Sequence, residues 1–503
     1  MEIEEKCKIL EGISSCVPEN GAGEDEENLL PNFLPLRSYS KLADKKNFLI
    51  TGGRGSGKTE LFRILTSCGG LDYVINEKDR RRYTQLRESE FLVGYIATGS
   101  GAKAFPTSNV CDELLKMEKP DNLTSFWGGL ICSVLLKKFK EDKEIIELAN
   151  QYLGAQTRNL LTENSSEVSK WWKVLDTGKE KWESFLDQTD TILENKGRYV
   201  CIVYDELDRI CSNYEELFGY IRSLLDFWYR HNSRFTNIKA KIFLRSDLYN
   251  AKALQFVDAS KMGAYRLELS WDVQSLYRLL VKRMANTGIE ELESYLKGVP
   301  GLLHPEINGA LGYVPGDSEE AFRLLIDKMV GQYMGKNAKR GVSYTWVPNH
   351  IQDANGEMAP RAFLKCFAFA AEEMLNSKSD VAALEKERVL HPTRLQGAVA
   401  KVSADRVQEL TQEEYQWLQN LIKRLDKKTM LMEKEEFLSY LRPENWPETE
   451  RGRLPGETGM EILEVLMMLG IVMKTADERI NIPEIYLHGF GLKRKGGIKR
   501  PKT

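Results

Sequence analysis

Before residue 271, short apolar runs alternate along the chain with longer stretches of helical periodicity. An apolar run bounded by polar residues predicts a buried strand, and apolar residues recurring every three or four positions predict an amphipathic helix. Because strands and helices alternate, the pattern predicts an α/β fold with a parallel, doubly wound sheet. The predicted strands cover 48–50, 91–98, 199–204, 239–247 and 264–270, and the helices 108–118, 124–141, 143–153, 166–194 and 214–231.

After residue 271 the pattern becomes helical. The last predicted helix ends at Gly470, a residue that suits a helix C-terminus. The segment 471–483 then predicts a β-hairpin, and helices followed by a hairpin are typical of a winged helix. The predicted helices cover 272–285, 290–297, 318–335, 359–377, 392–442 and 457–470.

Composition limits the class of protein. The 503 residues are too many for one core, so we expect several domains. The 71 lysines and arginines nearly balance 74 acidic residues, which predicts no general attraction to nucleic acid. The eight cysteines form no Cys-x-x-Cys pair, and we expect free thiols in the reducing cytoplasm. Uninterrupted apolar stretches are too short for a membrane span, so we expect no membrane association.

Three polar segments and a tryptophan group leave alternatives open. Residues 1–36 predict an acidic N-terminal arm, solvated or regulatory, with a short helix at 3–13. Residues 77–90 form a solvated surface or a local nucleic-acid patch. The basic tail from Lys493 to Lys502 either contacts DNA or RNA phosphates or only aids solubility. The tryptophans at 171, 172 and 182 belong to a core or to a base-stacking platform.

A phosphate-binding loop follows the first predicted strand. The chain reads Gly52-Gly-Arg-Gly-Ser-Gly57-Lys58-Thr59, with a strand before it and a helix after it. Glycines let backbone N–H groups turn toward phosphate oxygens, and the helix N-terminus favours their charge. Lys58 is expected to reach the β- and γ-phosphates, and the Thr59 hydroxyl to bind magnesium. The residues expected to bind nucleotide are Gly52, Gly53, Gly55, Ser56, Gly57, Lys58, Thr59 and Glu60.

The third predicted strand ends in two carboxylates, Asp205 and Glu206. In the Walker B pattern, a buried strand delivers the first carboxylate to magnesium, here Asp205 beside Thr59. The second, Glu206, can polarise a water molecule for attack on the γ-phosphate. This pattern predicts hydrolysis of ATP with Mg²⁺.

Two arginines are further candidates. Arg245 ends the strand expected to lie beside the phosphate-binding loop, so it is a candidate γ-phosphate sensor; the alternative is a salt bridge at the strand end. Arg361 follows Pro360 in the first turn of a predicted helix, where it could reach back to nucleotide phosphates. Its alternative is an ordinary arginine on a helix surface.

With these features in this order, the chain resembles the AAA+/STAND division of P-loop ATPases. It looks most like the origin-recognition and NB-ARC-like ATPases of bacterial regulatory and antiphage defence systems. The resemblance covers about residues 37–490. It implies four domains: the N-terminal arm, an ATPase domain over 37–271, an α-helical lid over 272–390, and a helical and winged-helix domain over 391–503.

The resemblance also implies roles for particular residues. It assigns Glu206, Lys58, Arg245 and Arg361 to catalysis, with Arg245 as sensor 1 and Arg361 as sensor 2, and it assigns Thr59 and Asp205 to the metal. The segment 247–262 departs from the family pattern, because it contains lysines but no arginine that could serve as an arginine finger. The departure favours a STAND-like switch over a ring that is activated between subunits.

Three functions follow from these patterns. The first is an ATP-driven molecular switch that couples Mg-ATP hydrolysis to conformational change or assembly; a partner effector and a homo-oligomer are the expected assemblies. The second is a DNA-loading or remodelling ATPase similar to replication initiators or transposition regulators. The third is a nucleotide-stabilised scaffold without turnover. The sequence indicates no second catalytic centre, so any further chemistry is expected from a partner chain.

Overall fold

The computed structural model divides the chain into two compact units. The sheet unit comprises residues 35–269, and the helical unit comprises residues 1–34 and 270–503. The first two helices, α1 (Ile3–Ser14) and α2 (Glu26–Asn32), belong to the helical unit. The structure describes all residues except 18–25, 76–85, 87, 119–122, 251–252, 305–306, 308, 386 and 495–503.

A five-stranded parallel sheet forms the centre of the sheet unit, with strand order β2-β3-β4-β1-β5. The predicted α/β sheet is therefore confirmed. Every residue of β1 and β3 is buried, as expected for strands covered on both faces. The strands are β1 (Leu49–Gly52), β2 (Glu90–Tyr95), β3 (Val200–Tyr204), β4 (Ile238–Arg245) and β5 (Arg266–Glu268).

Helices connect the strands, and the crossover from β2 to β3 is much the longest. Helix α3 (Lys58–Ser67) follows β1, and α10 (Tyr214–Arg234) joins β3 to β4. One helix is enough for a parallel crossover, yet the described residues between β2 and β3 form six α-helices. They are α4 (Ser108–Glu118), α5 (Thr124–Lys138), α6 (Lys143–Tyr152), α7 (Ala155–Glu163), α8 (Val168–Thr177) and α9 (Lys179–Asn195).

Tryptophans form the core of this helical insertion. Trp171, Trp172 and Trp182 of the predicted group, together with Trp127, are buried in one hydrophobic core that also includes residues of the sheet. Trp171 also donates its indole N–H to the Ser165 carbonyl at 3.1 Å. The tryptophan group is therefore a core and not a base-stacking platform. The predicted helix 166–194 is two helices, because the chain breaks at Gly178 between α8 and α9.

Helices account for most of the helical unit. Its predicted segments are present, although the helix predicted over 318–335 ends at Met329, and the segment 392–442 contains two turns and a short strand that periodicity did not reveal. The helices from residue 270 onward are α11 (Val273–Ala285), α12 (Glu290–Lys297), α13 (Glu319–Met329), α14 (Ser343–Ile351), α15 (Pro360–Leu375), α16 (Lys378–Ala383), α17 (Pro392–Glu409), α18 (Leu418–Leu425), α19 (Lys434–Leu441), α20 (Glu448–Arg451), α21 (Gly459–Met468) and α22 (Glu484–Leu487).

Helix α1 packs into the helical unit against α15. Its apolar residues Ile9, Leu10 and Ile13 are fully buried, and the Lys6 ammonium donates to the Leu384 carbonyl at 2.8 Å. The prediction of a solvated acidic arm is therefore wrong for this helix. Its acidic residues lie on one side, and a narrow apolar face on the other side drives the packing.

The predicted boundary at 390 is not a division in the structure. Helix α15 packs along α17, so the predicted lid and the predicted C-terminal domain share one compact unit. The boundary predicted at 271 lies close to the division after residue 269.

The C-terminal part of the helical unit continues as helix, strand, three helices and hairpin. After α18 come β6 (Thr429–Met430), α19, the short α20 and α21. The predicted hairpin is formed by β7 (Met473–Lys474) and β8 (Ile480–Asn481), which pair antiparallel. Met432 bridges to Ile480, and β6 pairs with β9 (Lys493–Arg494).

Some expectations fall on residues that the structure does not describe. Most of the polar segment 77–90 and of the basic tail 493–502 lie outside the described residues, as do residues 21–25 of the acidic run. None of the described helices is long and apolar enough to cross a membrane.

Asp190 on α9 fixes the start of β4. Its carboxylate accepts the backbone N–H groups of Thr236, Asn237 and Ile238 at 2.7, 2.8 and 2.7 Å. These donors precede or begin the strand, so the helical insertion holds a central strand of the sheet in place.

We predict that Asp190→Ala destabilises the sheet unit by about 3 kcal/mol, because it leaves buried backbone donors without an acceptor. Urea unfolding measures the effect. Glu194→Ala, which removes an exposed carboxylate from the same helix, is the matched control and should change stability by less than about 0.5 kcal/mol. Equal stability of the two variants would contradict the role of Asp190.

Candidate functional site

The loop between β1 and α3 turns through two glycines in the left-handed region. Gly55 has a φ of 74° and Gly57 a φ of 93°, which other residues rarely adopt. A Cβ on Gly52 would lie 2.4 Å from the Ser56 hydroxyl oxygen. Ser56 is buried, and Glu60 lies in the first turn of α3. The loop therefore needs its glycines to bring backbone N–H groups to the start of α3.

Lys58 folds back over this loop. Its ammonium donates to the carbonyl oxygens of Gly52 at 2.9 Å and of Gly53 at 2.8 Å. Burial lowers the pKa of Lys58 to about 8, and the Asp205 carboxylate opposes that shift. A desolvated ammonium that donates to neutral carbonyls is stabilised when an anion binds beside it. A phosphate group would supply that negative charge.

Asp205 lies at the end of β3, beside the start of α3. Its backbone N–H donates to the Tyr95 carbonyl at 3.1 Å, which fixes it to β2. Burial raises the pKa of the Asp205 carboxyl to about 6, and a hydrogen bond from Thr59 opposes the shift. One carboxylate oxygen, Oδ2, is buried and accepts no hydrogen bond from any described residue.

These two side chains fit a magnesium ion. Carboxylate and hydroxyl oxygens are the ligands that Mg²⁺ takes in nucleotide sites, and it is commonly held by one or two protein groups plus phosphates. Asp205 and Thr59 already lie within hydrogen-bond reach of each other, and a buried carboxylate oxygen lacks a protein donor. Among the described residues, no group of three or more histidine, cysteine or acidic side chains could hold a metal by itself.

Glu206 is held by the end of β2. Its carboxylate accepts the backbone N–H groups of Ala97 at 3.1 Å and Thr98 at 2.8 Å. The Thr98 hydroxyl lies 2.7 and 2.9 Å from the two carboxylate oxygens. Glu206 also has a φ of 54°, a left-handed conformation that costs energy for a residue with a side chain. The surrounding chain thus holds Glu206 in a specific, strained arrangement.

Arg245 makes ion pairs at the end of β4. Its guanidinium donates to Asp247 at 3.1 and 2.8 Å and to Asp208 at 3.3 Å. As predicted, β4 lies beside β1, and Arg245 pairs in register with Gly52. A salt bridge at the strand end was the alternative to the sensor role, and it is present, although its side chains are mostly buried. The role of Arg245 as a γ-phosphate sensor stays a prediction. In that role its guanidinium would have to leave the carboxylates of Asp247 and Asp208 and bind the γ-phosphate.

Arg361 is the second residue of α15, with Pro360 at the helix start as expected. It belongs to the helical unit, and its contact with nucleotide phosphates stays a prediction. The loop before α15 is tied to the end of α21. The Ala354 N–H donates to the Gly470 carbonyl at 2.8 Å, and the Asn355 amide to the Met468 carbonyl at 3.2 Å.

The site gathers most of the predicted residues at one edge of the sheet. Lys58, Thr59, Asp205, Glu206 and Arg245 follow β1, β3 and β4, whose carboxyl ends meet there. Sequence reasoning missed three participants, which are Thr98, Asp208 and Asp247. The position of Thr98 at the end of the second predicted strand was the available indication.

Comparisons with known proteins give little beyond this geometry. No protein-family model and no curated protein sequence matches the chain. Among solved structures, it is similar to the Aeropyrum pernix ORC2 protein, determined as ADPNP–ADP complexes. The identity is 12%, the match covers 93% of this chain and 99% of that chain, and the TM-score is 0.30. So weak a likeness shows neither family nor activity.

Proposed function

We propose that this chain is an AAA+/STAND-type P-loop ATPase, a molecular switch that binds Mg-ATP and hydrolyses it. The observation that supports the proposal most is the meeting of the Lys58 loop with the two carboxylates after β3. Each part needs the others. The loop offers donors and a cation to phosphates, and Asp205 and Thr59 offer oxygens to magnesium.

Each group of atoms in the site has a proposed role in binding or hydrolysing ATP. The loop N–H groups and the Lys58 ammonium would bind the β- and γ-phosphates, where charge changes during hydrolysis. Thr59 Oγ1 and Asp205 Oδ2 would hold Mg²⁺, which supplies positive charge to the phosphates when bound. Glu206 would orient and polarise the attacking water, because its carboxylate follows Asp205 on the same strand end.

A second observation favours a switch over simple hydrolysis. The helix that bears Arg361 begins directly after a loop hydrogen-bonded to the C-terminal end of α21. Within the helical unit these contacts join the start of α15 to the end of α21, so a shift of α15 would pull on α21. This gives a conformational change at α15 a physical route to the C-terminal elements.

We predict that the wild type hydrolyses ATP in the presence of Mg²⁺ and that Glu206→Gln slows turnover by about a hundredfold or more while nucleotide still binds. Steady-state phosphate release measures this, and native mass in ATP and ADP detects any change of assembly. The matched control, Glu194→Gln on the exposed side of α9, should hydrolyse at the wild-type rate.

Three other outcomes separate the alternatives. Equal turnover by Glu206→Gln and wild type would contradict the catalytic role of Glu206. Binding of nucleotide without any turnover would favour the scaffold. Turnover that rises with duplex DNA would favour the DNA-loading ATPase.

We also predict that Thr98→Val raises basal turnover severalfold. The hydroxyl of Thr98 lies within hydrogen-bond distance of both oxygens of Glu206. Removing it takes this donor from Oε1 while the backbone N–H groups still hold Oε2, so Oε1 can turn toward water. Thr191→Val removes a hydroxyl that is bonded to the carbonyl of Asp187 on α9, and it serves as the control. A fall in turnover for Thr98→Val alone would mean that Thr98 instead holds Glu206 in its active position.

The finer predictions from the resemblance stay predictions. They are a bacterial antiphage defence or regulatory complex, a partner effector, a homo-oligomer and a cytoplasmic location. Each follows from the family pattern alone and not from the site.

A further inference from the structure

Trp127 on α5 packs against the ends of the two strands that lead to Glu206. Its ring centre lies 6.1 Å from that of Tyr95, the last residue of β2, and 5.7 Å from that of Tyr204, the last residue of β3. Both contacts are edge to face. The Trp127 indole N–H donates to the Tyr220 carbonyl on α10 at 2.9 Å, and the side chain is fully buried. The helical insertion therefore contacts the sheet directly beside the candidate site.

Strand β2 reaches this contact through a shift in its pairing with β3. The pairing runs in register up to Val93, shifts at Gly94 and resumes at Tyr95, which pairs with Tyr204. A Cβ on Gly94 would lie 2.4 Å from Ile202 Cγ2 and 2.7 Å from Tyr204 Cε1, so the close approach of the two strands needs glycine here. Such an irregularity bends a strand and redirects the residues beside it.

The chain beyond each strand end makes the contacts of Glu206. After β2, the backbone N–H groups of Ala97 and Thr98 donate to the Glu206 carboxylate. After β3, Asp205 donates its N–H to the Tyr95 carbonyl at 3.1 Å, and Glu206 follows in its left-handed conformation. The position of the carboxylate relative to its donors thus depends on how the two strand ends lie against each other.

We propose that Trp127 is a positioning residue for Glu206, through which the helical insertion sets the rate of hydrolysis without contacting nucleotide. A rigid ring packed in a dense core against both strand ends keeps those ends in one relative position. Displacement of a catalytic group by about 1 Å can cost about a hundredfold in rate, so this packing decides how well Glu206 orients water. This role of Trp127 rests on the proposed ATPase function.

Trp182 on α9 is a matched control, because it belongs to the same core and has no ring contact with the strand ends. It is also fully buried, and its ring centre lies 6.1 Å from that of Phe227 on α10. Among the described residues, no aromatic ring of β2 or β3 pairs with Trp182. Shortening either tryptophan should therefore loosen the core, whereas only Trp127 should change the position of Glu206.

The test measures kcat, affinity for a non-hydrolysable ATP analogue and urea unfolding in full-length variants. We expect Trp127→Phe to lower kcat by about tenfold while the affinity for the analogue stays within about twofold of the wild type, because the phosphate-binding loop is unchanged. Trp182→Phe should hydrolyse ATP at the wild-type rate although it also unfolds at lower urea. Circular dichroism confirms that both variants are folded.

Tyr95→Leu approaches the same contact from the strand. It removes the ring at the end of β2 that Trp127 contacts, so it should lower kcat by a similar factor. The double variant Trp127→Phe/Tyr95→Leu should be no slower than the slower single variant, because both substitutions act through one contact. If Trp127→Phe does not fold, an unchanged kcat in Tyr95→Leu contradicts the proposal.

Three results would overturn the role of Trp127 while leaving the ATPase function intact. One is an equal kcat in the wild type and Trp127→Phe. Another is an equal fall in kcat for Trp127→Phe and Trp182→Phe, because a general loosening of the core would then explain both. The third is a double variant whose loss is the product of the two single losses. Absence of turnover in the wild type would instead overturn the proposed function, and the role of Trp127 with it.

Discussion

Parallel pairing of β1 with β4, and of β4 with β3, determines where every charged group of the site lies. Gly52 pairs with Arg245, and Tyr204 pairs with Ile242, so the phosphate-binding loop and Asp205 leave the sheet at the same edge. A slip of one residue in β3 would exchange its faces and move Asp205 away from Thr59. The strands are buried on both sides, and Asp190 holds the start of β4, which resists such a slip.

The site combines buried charges that lack sufficient protein partners. Burial lowers the pKa of Lys58 and raises that of Asp205, so the folded protein disfavours the charged form of each. Bound phosphate and magnesium would supply the missing opposite charges and so stabilise the charged forms of Lys58 and Asp205. This set of buried charges also includes Arg245. Its hydrogen bonds to a carboxylate would have to break before the guanidinium could bind a γ-phosphate. Binding and rearrangement are thus linked through electrostatics.

Sequence alone predicted the sheet and the centre of the site, because both leave local patterns. Buried strands are continuous apolar runs, and the loop needs glycines at fixed spacing before Lys58. The contact of Thr98 with Glu206 could not be predicted, since it joins residues that are distant in sequence and depends on the strand order. The packing of α1 was missed because its net acidity hid a narrow apolar face. The break at Gly178 was missed because periodicity continues on both sides of it.

The central claim is that Lys58 and its loop bind a nucleoside triphosphate. Isothermal titration calorimetry with Mg²⁺ and a non-hydrolysable ATP analogue tests this claim most directly. The account predicts that the wild type binds and that Lys58→Ala loses at least about a hundredfold in affinity, or about 2.8 kcal/mol. Lys46→Ala, which removes an exposed lysine just before β1, should bind like the wild type. Equal affinity of Lys58→Ala and the wild type, or no binding by either, would contradict the assignment of this site.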